Sequence, residues 1–256
     1  SFFNFDSRVL DLGKRAMQYA SESFERIDDI SEHNQQKVLA AFRDNRVSES
    51  HFAGTTGYGY DDRGREIIDS ITAQIFGCDD ALVRHNFVSG THALSASLFG
   101  ILRPGDVLLS VTSKPYDTLD ASIGITKAAG SLKEWGVEYR QVEFKDGEID
   151  FEEIEKNLDE RVRMVFIQRS KGYNPIRHTL SCTEISKICD FVHKHSKRAV
   201  CMLDNCYGEF VERNEPTEFG IDIMAGSLIK NPGGGMALSG GYAAGRADLV
   251  ELVSYR

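Results

Sequence analysis

Lys230 stands two residues before Pro232 and the run Gly233-Gly234-Gly235, after a short apolar patch. Proline lacks an N–H and glycine carries the highest backbone entropy, so this stretch cannot continue a helix or central strand. The lysine is therefore expected at the end of an ordered element, beside a loop that permits close approach. A lysine in a partly desolvated pocket loses its proton readily and serves as a nucleophile or Schiff-base former; the plain alternative is a solvated surface charge. Four further polar clusters could work with it. Ser89-Gly90-Thr91-His92 suits an anion such as phosphate at a helix start, or equally an ordinary N-cap by Ser89 or Thr91. Tyr116 in SKPYDT offers an aromatic face or a turn residue. Gln168-Arg169-Ser170-Lys171-Gly172-Tyr173-Asn174 is densely polar, and Asp204 ends the apolar run CMLD. A carboxylate ending such a run is partly desolvated and should find a cationic partner.

These residues need elements to hold them. Residues 8–44 have helical spacing and many charges, predicting amphipathic helices lying on something else. From residue 66 the pattern alternates. Helices are predicted over 66–77, ended by Gly77, over 92–101, over 150–158, opened by Asp150, and over 181–197. Ser181 with Glu184 three places on reads as a capping box. Strands are predicted over 80–87, 106–112, 137–144, 162–168 and 199–204, with 118–130 mixed or helical. This alternation predicts an α/β fold with a mostly parallel central sheet flanked by helices. The four clusters fall after strands, where such sheets bind ligands.

Composition narrows the function. The 256 residues carry a net charge of −9, which disfavours non-specific nucleic-acid binding. No apolar run reaches membrane-spanning length, and SFFNFDSRVL lacks the order of a signal peptide. Cys78, Cys182, Cys189, Cys201 and Cys206 include no C-x-x-C pair and read as reduced thiols of a cytoplasmic protein. His193 and His195 sit two apart in a helical pattern and face different ways, so no metal site is expected from them. GYGYDDRG has the wrong spacing for a dinucleotide fingerprint, and no P-loop follows the glycine run.

An amine, a carboxylate, an anion seat and an aromatic face are together what pyridoxal 5'-phosphate requires. With TGYGYDDRGRE (56–66), VSGTHAL (88–94), LRPGDVLLSVTSKPYDTL (102–119), IQRSKGY (167–173), LDNCYGEF (203–210) and AGSLIKNPGGG (225–235) in one order, the chain resembles fold-type I pyridoxal-phosphate enzymes. More narrowly it resembles the methionine gamma-lyase / cystathionine beta-lyase-like group labelled aluminium resistance protein. The resemblance implies an aspartate aminotransferase-like large domain over 66–256, preceded by an N-terminal helical segment and dimer-contacting loop over 1–65. The smaller C-terminal domain, with the arginine that clamps the substrate carboxylate, is expected to be absent from this chain.

The same resemblance assigns roles. Lys230 would hold the cofactor covalently and later take the substrate's alpha proton, and Asp204 would pair with the ring nitrogen. Ser89, Gly90, Thr91 and Ser227 would seat the phosphate. Tyr116 would stack on the ring and move protons, with His92 as rival for the stacking role. Tyr60 and Arg65, or Arg63 in its place, would reach a neighbouring subunit's phosphate, implying a homodimer or homotetramer. Gln168, Arg169 and Ser170 would lie near the ring's 3-oxygen or the substrate. Ile229 departs from the hydroxyl residue that usually precedes the lysine. The implied activity is a carbon–sulfur lyase on a sulfur amino acid such as cystathionine or methionine, by beta- or gamma-elimination. The alternatives are a pyridoxal-phosphate aminotransferase and a non-catalytic protein linked to metal tolerance.

Overall fold

The computed structural model describes residues 3–55, 62–174 and 177–256. Among these residues seven strands form one sheet in the order β1-β7-β6-β5-β4-β2-β3. They are β1 (Asp80–Arg84), β2 (Val107–Ser110), β3 (Glu138–Gln141), β4 (Val162–Gln168), β5 (Val200–Asp204), β6 (Ile223–Ser227) and β7 (Gly241–Gly245). The run β3, β2, β4, β5, β6 is parallel, whereas β7 lies antiparallel between β1 and β6. The α/β architecture with a mostly parallel sheet is thus present. The strand predicted over 162–168 matches β4, the other four were long by one to three residues at one or both ends, and β6 and β7 went unassigned. β7, GYAAG, has no β-branched residue; its pairing with β1 and β6 makes it a strand.

The helices are α1 (Ser7–Asp44), α2 (Arg63–Phe76), α3 (Gly90–Ile101), α4 (Asp120–Ile123), α5 (Phe151–Asn157), α6 (Cys182–His195) and α7 (Ala247–Ser254). Residues 8–44 form one continuous helix rather than several. α2 begins at Arg63, earlier than expected, because the Asp62 carboxylate accepts the Arg65 N–H. It ends where Gly77 takes the left-handed conformation at φ 61°, which glycine adopts without a Cβ clash. α6 opens with the reciprocal Ser181/Glu184 box. The 118–130 stretch holds only a 3-10 turn and the four-residue α4.

Alternation along the central strands divides the core between the two sheet faces. Val165, Ile167, Cys201 and Leu203 pack with α2 and α6 residues, among them Ile71, Phe76, Ile185 and Ile188. Met164, Phe166, Val200 and Met202 pack with α3 and α7 residues such as Ala93, Leu98 and Leu249. Burying both faces anchors the strand ends from which functional side chains project. No helix among the described residues is long and apolar enough to cross a membrane.

Candidate active site

Gln168, Asp204 and Ala225 pair across β4, β5 and β6, so these strands present their carboxyl ends together. Beside them α3 begins. Ser89 caps it, its Oγ accepting the His92 N–H at 3.2 Å, which leaves the first-turn N–H groups of Gly90 and Thr91 without intrahelical acceptors. The N-terminus of a twelve-residue helix with free N–H groups is an electropositive seat. Opposite, buried Ser227 closes β6. A Cβ at Gly90 would lie 2.8 Å from the Ser227 Cβ and 3.4 Å from the Cys206 Sγ. Only glycine fits here, and its absent side chain shapes the seat.

The cleft between these ends has a volume of about 410 Å³ and is lined by Ser89, Gly90, Thr91, Tyr116, Asp204, Ser227 and Lys230, among others. This falls within the roughly 300–1,000 Å³ typical of small-molecule sites. Asp204 is 5% exposed. Its Oδ1 accepts the Cys206 N–H at 3.0 Å. Burial pushes its carboxyl above the ordinary range, opposed by that hydrogen bond and by the charges of Arg177 and Lys230. A cation brought against it would hold it ionised. Lys230 follows β6 through a short turn in which its N–H donates to the Ser227 carbonyl at 3.2 Å. Its Nζ donates to the Tyr207 phenol oxygen and lies 4.0 Å from the centroid of that ring.

Tyr116 stands on the rim, 37% exposed, with its ring 6.0 Å from that of Tyr173 at an interplanar angle of 37°. The neighbouring Tyr173 pushes its phenol pKa up. His92 turns elsewhere: its ring meets Phe87 edge-on at 5.6 Å, and its Nδ1 accepts the Val88 N–H at 3.3 Å. Thr91 Oγ1 donates to Thr118 Oγ1 at 2.8 Å, tying the helix start to the segment carrying Tyr116.

Other expected site residues lie differently. Arg169 is buried away from the cleft. It donates to the carbonyls of Leu180 and Gly208, to Asn205 Oδ1, and to Glu212 at 2.6 Å. Its guanidinium therefore ties loops together, and the expectation that it lies near ring or substrate is corrected. Gln168 Nε2 donates to the Ser170 carbonyl; of that polar run, Ser170, Lys171, Gly172 and Tyr173 line the cleft. Arg65 belongs to α2 and pairs with Asp62 at 2.9 Å, and Arg63 opens the same helix. Tyr60 falls outside the described residues.

Sequence reasoning overlooked Thr118, Thr179, Cys206 and Tyr207, all lining the cleft. Tyr207 has φ 69°, an uncommon backbone for a non-glycine residue, and this turn carries its ring to Lys230. Its only signal in the sequence was its place three residues after Asp204.

The donor set fits pyridoxal phosphate: a lysine in reach, a buried carboxylate across the cleft, and an anion seat that a Cβ at Gly90 would fill. The protein YnbB of Bacillus subtilis, uncharacterized itself, is 46% identical over 96% of this chain and 59% of its own length. L-methionine gamma-lyase of Porphyromonas gingivalis is 25% identical over 79% of this chain and 47% of its own. Among solved structures, a carbon–sulfur lyase involved in aluminium resistance from Clostridium novyi NT is 50% identical with a TM-score of 0.93. A Clostridium acetobutylicum protein also described as involved in aluminium resistance is 46% identical with a TM-score of 0.95. Each structure covers 98% of this chain and is itself covered over 60%. The chain thus spans between about half and 60% of the length of these relatives. The sequence profile described as methionine gamma-lyase matches residues 9–256, and the chain belongs to the methionine gamma-lyase family.

Proposed function

We propose that the cleft binds pyridoxal 5'-phosphate and cleaves a carbon–sulfur bond in a sulfur amino acid by beta- or gamma-elimination. The observation that carries this reading is the convergence of Lys230, Asp204 and the α3 N-terminus on one cleft. When bound, the cofactor supplies an electron sink for the charge left when a substrate loses its alpha proton. Lys230 would hold the cofactor, and its amine would take that proton. Asp204 pairs with the ring nitrogen. Ser89, Gly90, Thr91 and Ser227 seat the phosphate, and Tyr116 covers the ring. Tyr207 keeps the lysine amine at the cleft through its phenol oxygen. The acting unit in this reading is a homodimer.

The test is spectroscopic and chemical. Purified protein given the cofactor should show a protein-bound visible absorbance band that is missing from Lys230→Ala. Cystathionine, methionine and cysteine should then be screened for pyruvate or 2-oxobutanoate and ammonia. Release without an amino acceptor marks a lyase; dependence on an acceptor would mark an aminotransferase and overturn the proposal. Asp204→Ala should keep the cofactor but lose roughly a hundredfold or more in turnover, since one oriented charge at a reacting centre contributes that much.

A further inference from the structure

A second cluster of chemically capable groups lies at the other end of β5. Cys201 is the second residue of that strand and fully buried. It stands three residues before Asp204, about 10 Å away along an extended strand. Asp222 immediately precedes β6 and is locked to Cys201 by two bonds. The Cys201 N–H donates to its Oδ2 at 2.7 Å, and the Asp222 N–H donates to the Cys201 carbonyl at 3.0 Å. His193, in the last turn of α6, brings its Nε2 to 2.8 Å from the same Oδ2. The thiol of Cys201, the imidazole of His193 and the carboxylate of Asp222 have their ligand atoms all within 4.8 Å of one another. Cys189, one helical turn before His193 on the same face of α6, sets its thiol against that of Cys201.

We propose that His193, Cys201 and Asp222 form a zinc site that clamps α6 to the amino ends of β5 and β6, with a fourth position open at the His193 edge. Sulfur, nitrogen and oxygen donors together suit borderline Zn²⁺, while hard cations prefer oxygen alone. Zinc–ligand bonds of ~2.0–2.3 Å put tetrahedral donors ~3.3–3.7 Å apart, so the trio closes on an ion with shifts of about an ångström. The orienting partners are already in place. The Cys201 N–H fixes one Asp222 oxygen, and Arg246 donates to the other at 3.2 Å, as carboxylate ligands require. Access is from outside: the His193 side chain is 38% exposed and that of Asp222 11%. On binding, the Cys201 thiol gives its proton to solvent and His193 gives up the Nε2 proton it shares with Asp222, coordinating as the neutral Nδ1–H tautomer, so thiolate and carboxylate together balance the ion's two charges. The site is independent of the chemistry assigned to the cleft.

The test uses Co²⁺ as a spectroscopic stand-in, titrated into the purified protein, followed by competition with Zn²⁺. One equivalent should produce a near-ultraviolet thiolate-to-cobalt charge-transfer band that Zn²⁺ erases. Cys201→Ser should abolish the band, and His193→Ala should weaken binding at least tenfold while leaving the circular dichroism unchanged. Zn²⁺ at a hundred times its Kd should raise the melting temperature by roughly 5–10 °C, a shift lost in His193→Ala. A band that survives either substitution at full strength overturns the proposal, as does wild-type protein with no band and no zinc-dependent shift. Should Cys201→Ser fail to fold, the His193→Ala comparison decides alone.

Discussion

Gly90 concentrates the argument at the level of single residues. Its position was readable because small residues after a strand and before a helix suit an anion seat; the reason only glycine works there was not. A Cβ would come to 2.8 Å from that of Ser227, and both atoms are fixed to ordered backbone. Gly90→Ala should therefore overpack the seat and destabilise the fold by about 1–3 kcal/mol, and weaken cofactor binding beyond that loss. Thermal melting and a fluorescence titration with pyridoxal phosphate would separate the effects; unchanged affinity would remove Gly90 from the seat. Lys230 and Asp204 were legible for the same kind of reason, as groups at breaks in apolar runs. Tyr207 was not, because its reach depends on a left-handed turn that the letters DNCYG do not announce.

Elements meet beneath the cleft at Glu209. Its Oε1 accepts the Tyr242 hydroxyl of β7 at 2.7 Å, while its Oε2 has no hydrogen-bond partner among the described residues. A Cβ on Gly226 of β6 would lie 2.6 Å from that Oε1, and the Asn231 amide donates to the Glu209 carbonyl at 2.8 Å. Glu209 thus holds β7 through its carboxyl and the loop after Lys230 through its backbone carbonyl, with the carboxyl packed against β6. Burial pushes its pKa from 4.5 up to about 8. A group raised on folding stabilises fully below its unfolded value and loses that contribution as pH rises through the folded one. The melting temperature of wild type relative to Glu209→Gln should accordingly fall between about pH 5 and pH 8. Glu215, raised to about 7 by burial, titrates in the same direction in both proteins, and its charge also helps push Glu209 up, so the difference reads Glu209 together with that coupling. A difference that stays flat with pH would show that Glu209 does not titrate in this range.

For the whole molecule, α1 is the outstanding feature. It is 38 residues long, about 57 Å at 1.5 Å per residue, yet only Asn34 and Ala41 are buried along it. Val9, Leu10, Leu12, Met17, Phe24 and Ile27 remain exposed. A helix in water draws most of its stability from packing, so so much uncovered apolar surface calls for a cover, and in the homodimer reading a second copy provides it. Sedimentation velocity should return twice the chain mass, and Leu12→Glu combined with Phe24→Glu should shift the protein toward monomer. A wild-type protein sedimenting as a monomer at micromolar concentration would refute the dimer.

By itself the sequence determined the α/β alternation, the helix caps at Gly77, Asp150 and Ser181, the positions of Asp204 and Ser89–Thr91 after strands, and that of Lys230 at the end of an ordered element. All of these follow from local periodicity, backbone freedom and capping chemistry, which act within a few residues. Tertiary structure alone decided that GYAAG is a strand, that Arg169 serves loops instead of the cleft, and that His193 meets Cys201 and Asp222 instead of its neighbour His195. Those outcomes depend on which distant segments the sheet order brings side by side, and no short-range rule carries that information.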